Sequence, residues 1–128
     1  MYLRFTAPGV VTRARVAPGL FGAAYDLWWD RSEDTPSLLA LRRELDWFNE
    51  QLPRPRRLGV VARGRWWPDG VCWFRDSARE AIAHGYALAS LIEECGVPIE
   101  RLWTRDPGQI LYRDRWQVVA KPERYLMN

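Results

Sequence analysis

Leu38, Leu41, Leu45, Phe48 and Leu52 recur at intervals of three or four residues, and Arg42, Arg43, Asp46, Asn49 and Glu50 fill the positions between them. That spacing places the apolar side chains on one stripe of a helix and the charged ones on the other. Thr35 is a favoured N-cap and Pro36 a favoured first helical residue. Pro53 ends the pattern, because the residue before a proline is pushed out of the α region. The sequence predicts a helix over 36–51.

A second helix is predicted from the stretch Ser77-Ala78-Arg79-Glu80 to Cys95, with Ala81, Ile82, Gly85, Leu88, Ala89, Ile92 and Cys95 on its inner face. Ser77 and Glu80 have capping-box spacing, Gly96 suits the C′ position, and Pro98 follows. Glycine in mid-helix costs about 1 kcal/mol relative to alanine. The small run Ala81, Gly85, Ala89 therefore predicts a close approach of this helix to a sheet. Phe21, Ala24, Leu27 and Trp28 suggest a shorter helix before position 30.

Strands are predicted at 2–6 (YLRFT) and 10–16 (VVTRARV), split by Pro8-Gly9, and at 58–62 and 71–74. Others follow at 99–105, 109–113 and 116–121, with a type II turn at Asp106-Pro107-Gly108-Gln109 and a tight turn at Asp114. Residues 71–121 thus read as a β-α-β-β-β unit, a crossover helix followed by an antiparallel meander. If strands 71–74 and 99–105 are a parallel pair, their connection is right-handed. The fold class expected is α+β: a two-layer domain in which a small mixed sheet is covered by two main helices. One domain accounts for 1–128, with N-terminal strands in 1–20, an irregular segment over 53–70 and a tail over 122–128.

A chain of 128 residues buries roughly two-thirds of its unfolded surface, enough for a core without disulfides or metal. Hydrophobic residues make up 48% and charged residues 27%, the balance of an ordinary globular domain. No apolar run approaches the ~20 residues of a membrane helix, and the start lacks a signal peptide's apolar core. With two cysteines and no C-x-x-C pair, a cytosolic protein with free thiols and no membrane partner is expected.

Two features of composition change the picture. Of 19 basic residues only Lys121 is a lysine, and there are eight tryptophans. Both excesses meet in PRPRRLGVVARGRWWPDG, where Arg54, Arg56, Arg57, Arg63 and Arg65 precede the first acidic residue, Asp69, and Trp66 and Trp67 are adjacent. Neighbours in an extended segment point to opposite faces, so both indoles cannot turn inward. Three arrangements fit: rings folded over the sheet with arginines stacked on them, a protein interface centred on Trp and Arg, or a stacking platform for single-stranded nucleic acid. The reading adopted is a binding domain without catalysis of its own. Its partner is an unidentified macromolecule, a protein in first place, with a homodimer as one form. The surface would centre on Arg63, Arg65, Trp66 and Trp67, with Arg54, Arg56 and Arg57 as rim. Single-stranded DNA or RNA is the alternative.

Candidate chemistry is sparse. His84, the single histidine, has Glu80 one turn earlier, and a small enzyme using His84 with a carboxylate is the second alternative. The plainer account is a surface i, i+4 pair. Cys72 and Cys95 look like small buried hydrophobes. Together with His84 they lack zinc-site spacing, so neither metal nor cofactor is expected. Arg63-Gly64-Arg65 has neither the glycine pattern of a dinucleotide loop nor the lysine of a phosphate loop. Asp76, just before a helix, is explained by the macrodipole.

The blocks FGAAYDLWWD, DWFNEQLPRP, RWWPDGVCWF, CGVPIERLWTRDPGQILY and WQVVAKP, spread over residues 20 to 122, resemble a scattered group of small bacterial proteins with aromatic-rich blocks in this order. The resemblance implies a bacterial fold. It brings no activity, cofactor or site residue with it.

Overall fold

The computed structural model describes residues 1–9, 18–52 and 70–121. In chain order these form β1 (Tyr2–Thr6), α1 (Leu20–Asp30), α2 (Pro36–Gln51), β2 (Val71–Arg75), α3 (Arg79–Glu94), β3 (Glu100–Thr104), β4 (Gln109–Arg113) and β5 (Gln117–Lys121). The strands make one sheet in the order β3-β1-β2-β5-β4. Every neighbouring pair is antiparallel. The architecture is α+β, a sheet packed against helices, with α1 joining the two longer helices in the cover. The strands expected at 10–16 and 58–62, the irregular stretch 53–69 and the tail 122–128 lie outside the described residues.

Local chemistry sets the helix ends. The Thr35 hydroxyl accepts a hydrogen bond from the Leu38 N–H at 3.2 Å, and Pro36 opens α2. Leu52, ahead of Pro53, is extended at φ −85°, ψ 123°. The capping box expected at Ser77 does not form: α3 is capped by Ala78, with no side-chain hydrogen bond. The Ala78 N–H instead donates to the Arg75 carbonyl in a tight turn out of β2, which shifts the cap by one residue. The other end of α3 behaves as expected. Gly96 sits at φ 93°, its N–H donates to the Glu93 carbonyl, and the Val97 N–H donates to the Ile92 carbonyl. Those two bonds are the Schellman pair.

The N-terminal strand is an interior strand of the sheet, next to its β3 edge. β2 and β3 run in the same direction, but β1 lies between them, antiparallel to both, with Tyr2 opposite Arg75 on one side and Thr104 on the other. The expected meander reduces to the β4–β5 hairpin, because β3 and β4 are opposite edges of the sheet. The turn before β4 has the expected chemistry, with Gly108 at φ 106° and its N–H donating to the Asp106 carboxylate. The strands that it joins do not pair.

That short link shapes the sheet. Four strand spacings separate β3 from β4, about 19 Å if the sheet were flat. Thr104 also lies at the Tyr2 end of the sheet and Gln109 at the Lys121 end. Five Cα steps reach at most about 18 Å, less than this diagonal. The sheet is therefore curled, drawing the end of β3 toward the start of β4. Inside the curl Val71, Trp73, Val118 and Ala120 form a small core, with Tyr2 and Ile110 against it.

The helices cover the other face, where Leu3, Phe5 and Phe74 meet Leu41, Leu45 and Phe48 of α2 and Ala81, Leu88, Ala89 and Ile92 of α3. Burying each large side chain contributes roughly 1.5–3 kcal/mol. The small run on α3 does what its composition predicts. A Cβ on Gly85 would stand 2.8 Å from a ring carbon of Phe5, so only glycine lets α3 lie this close to β1. No helix among the described residues is long and apolar enough to cross a membrane.

Candidate functional site

All seven residues expected to form the binding surface, Arg54, Arg56, Arg57, Arg63, Arg65, Trp66 and Trp67, lie outside the described residues. Two arrangements of functional side chains stand within them.

The first surrounds His84. Glu44 and Trp47 are three residues apart on α2, so both look out from one side of that helix, toward α3. The Glu44 carboxylate meets His84 Nδ1 at 2.7 Å, and the Trp47 indole stacks on the imidazole with centroids 3.7 Å apart and planes 14° from parallel. Phe48 approaches the imidazole edge-on, and Trp116 approaches Trp47 in the same manner. The carboxylate at His84 is thus Glu44, from another helix, rather than Glu80. A carboxylate that orients an imidazole is half of an acid–base device. Here the same contacts hold two helices together, with one ring face covered by indole.

Burial raises both thiols rather than activating them. Burial pushes the Cys72 thiol up to about 11, with nearby Arg4 opposing the shift, so it stays protonated at neutral pH. Burial also raises the Cys95 thiol. Both cysteines are free. Among the described residues no group of three or more His, Cys, Asp or Glu stands close enough together to hold a metal ion.

The second arrangement is on β3. Leu102 and Trp103 are 38% and 45% exposed, on opposite faces of the strand, and Tyr86 on α3 is 37% exposed. Arg101 lies 5.7 Å from the Tyr86 ring centroid. Its guanidinium grips Glu93 through two hydrogen bonds, of 3.1 and 3.0 Å. Those bonds hold the Glu93 carboxyl below the usual range and raise the Arg101 guanidinium. Arg101 and Trp103 are two residues apart on one strand, so they share a face. Sequence reasoning passed over this site. The available signal was Leu102-Trp103, adjacent large apolar residues that a strand must send to opposite faces.

Elsewhere three further arginines have partners of their own. Arg31 binds Asp34 at 2.6 Å and lies 3.4 Å over the Trp28 ring, while Arg42 binds Asp46 at 3.0 Å. Arg75 donates to the Asp114 carbonyl at 3.0 Å. Arginine stacked on its own protein's indole, one of the three arrangements open to the 53–70 segment, is thus realised at α1. Comparison of the chain with protein-family models, curated proteins and solved structures finds no match.

Proposed function

We propose that this chain is a macromolecule-binding domain whose partner is a protein, held through exposed indole rings and arginines. The observation that supports this reading is the pair Leu102 and Trp103, exposed together on a strand at the edge of the sheet. Aromatic anchors with arginine beside them are the preferred centres of protein interfaces. On the sequence alone, Arg63, Arg65, Trp66 and Trp67 are further candidate contact residues, with Arg54, Arg56 and Arg57 as a rim. Protein ranks ahead of nucleic acid because Arg31, Arg42 and Arg101 are each neutralised by a carboxylate. A phosphate backbone would have to displace those partners. A cytosolic setting, where thiols stay reduced, suits the free cysteines.

Tryptophan fluorescence during titration with a mixed-sequence single-stranded oligonucleotide, at about 50 and about 200 mM salt, tests the reading. The expected result is no quenching at the lower salt. Quenching that fades steeply at the higher salt, and is lost in the Trp66→Ala/Trp67→Ala double variant, would put nucleic acid in the place of protein.

A further inference from the structure

We propose that β3 is a self-association edge: two copies of this chain pair their β3 strands antiparallel about a two-fold axis through Leu102, making one continuous sheet. This rests on the protein-contact reading above and names the partner as a second copy.

The backbone gives the first part of the argument. The Met1 carbonyl accepts from the Asp76 N–H, so residue 1 directs its peptide groups toward β2. Alternation along β1 then turns Tyr2, Arg4 and Thr6 toward β3, where they stand opposite Thr104, Leu102 and Glu100. Those three β3 residues bond inward, and the N–H and C=O groups of Arg101 and Trp103 point away from the sheet. Among the described residues β3 has no strand on that side.

The side chains choose the register. Outward groups must face outward groups, which puts the two-fold axis through a residue, and of the five in β3 only Arg101, Leu102 and Trp103 lie far enough from the strand ends to pair three residues or more. Centring on Arg101 opposes two guanidinium groups, and like charges directly opposite are destabilising. Centring on Trp103 brings Arg101 against Arg105 of the second copy. Centring on Leu102 sets Arg101 of each copy against Trp103 of the other, a cation beside an indole on both sides of the axis. Leu102 then meets Leu102 of the second copy. A charged residue on an edge strand ordinarily discourages pairing. Here the Arg101 charge is already compensated by Glu93, so the edge is not guarded in that way.

Sedimentation equilibrium of the full chain across the micromolar range tests the proposal. The expected mass is twice the 15.0 kDa of one chain, falling to a single chain in Trp103→Pro. Proline removes the outward N–H and the ring but breaks no bond to β1, and edge strands tolerate it there. Circular dichroism checks that the variant is folded. A second variant, Leu102→Cys with Cys72→Ala and Cys95→Ala, tests the register without relying on proline. Directly opposed residues of the non-hydrogen-bonded kind lie about 4.5 Å apart between Cα atoms, so mild oxidation should link the two copies. A wild-type monomer throughout that range would overturn the proposal. So would a dimer that survives Trp103→Pro, or one that Leu102→Cys does not cross-link. Each of those results leaves the protein-contact reading standing. Salt-sensitive oligonucleotide binding, by contrast, removes that reading itself.

Discussion

Cys72 and Cys95 are the same residue type in the same chain, and their surroundings separate them. A thiol reacts through its thiolate, and one held near 11 is ionised to about one part in a thousand at pH 8. Cys95, in the last turn beyond α3, is raised less. Titration of the native protein with a thiol reagent at pH 8 should therefore show one fast and one slow thiol. The fast phase should vanish in Cys95→Ser, and two equally fast thiols would contradict the assignment. The sequence read both cysteines as small buried hydrophobes, whereas both are partly exposed. It could not rank them, because the rank depends on Arg4 and the strands around Cys72. The same limit appears at His84, where the sequence offers Glu80 one turn away and the fold supplies Glu44 from forty residues upstream. Near neighbours in sequence are visible in a sequence; partners brought by packing are not.

At the scale of the element the reading of the sequence was nearly complete wherever the cause is local. Thr35, Pro36 and Pro53 bound α2, Gly96 ends α3, and Gly108 takes the turn before β4. Among the described residues, the cap at Ala78 in place of Ser77 departs from the expectation, and it comes from the tight turn by which β2 hands the chain to α3. The spacing of α3 from the sheet is also local in origin, since it follows from a missing Cβ. In a free helix Gly85→Ala would gain about 1 kcal/mol. Here the added methyl meets the Phe5 ring at 2.8 Å, and overpacking of this kind typically costs about 1–3 kcal/mol. Urea unfolding should show Gly85→Ala to be less stable than wild type. Gly85→Ala combined with Phe5→Leu should recover part of the loss. The Arg101–Glu93 pair, which ties β3 to the end of α3, responds to acid. The Glu93 carboxyl is lowered from 4.5, chiefly by its bonds to Arg101, so its stabilisation is present above that pH and is lost as pH falls through the lowered value. Both side chains are partly exposed, so the contribution is small. Urea midpoints measured below pH 4.5 should fall less steeply in Glu93→Gln than in wild type.

Strand order belongs to the whole molecule, and it was the least legible property. Periodicity finds strands one at a time; it carries no mark of which strand lies beside which. The prediction of a meander through 99–121 assumed that consecutive strands are neighbours, and β3 and β4 break that assumption by taking opposite edges. The insertion of β1 between β2 and β3 has a measurable effect. Terminal segments usually fray, exchanging their amide hydrogens at little free-energy cost. Leu3 and Phe5, held in an interior strand and buried beneath three helices, should instead exchange only when the whole domain unfolds. Native-state hydrogen exchange across a urea series should place their opening energies at the global value. Exchange at the low energy of a frayed end would show that β1 is only loosely held.

The interior position of β1 also imposes a schedule on biosynthesis. The ribosome delivers this strand ahead of the other four, yet β2 is complete only at Arg75 and both neighbours exist only once residues up to Thr104 have been made. At about 5–20 residues per second that is a wait of roughly 5–20 s. Throughout it YLRFT has at least one strand edge open, available to chaperones and to other nascent chains. The helices between can form early, but the sheet that they cover cannot close until its oldest strand meets its youngest neighbours.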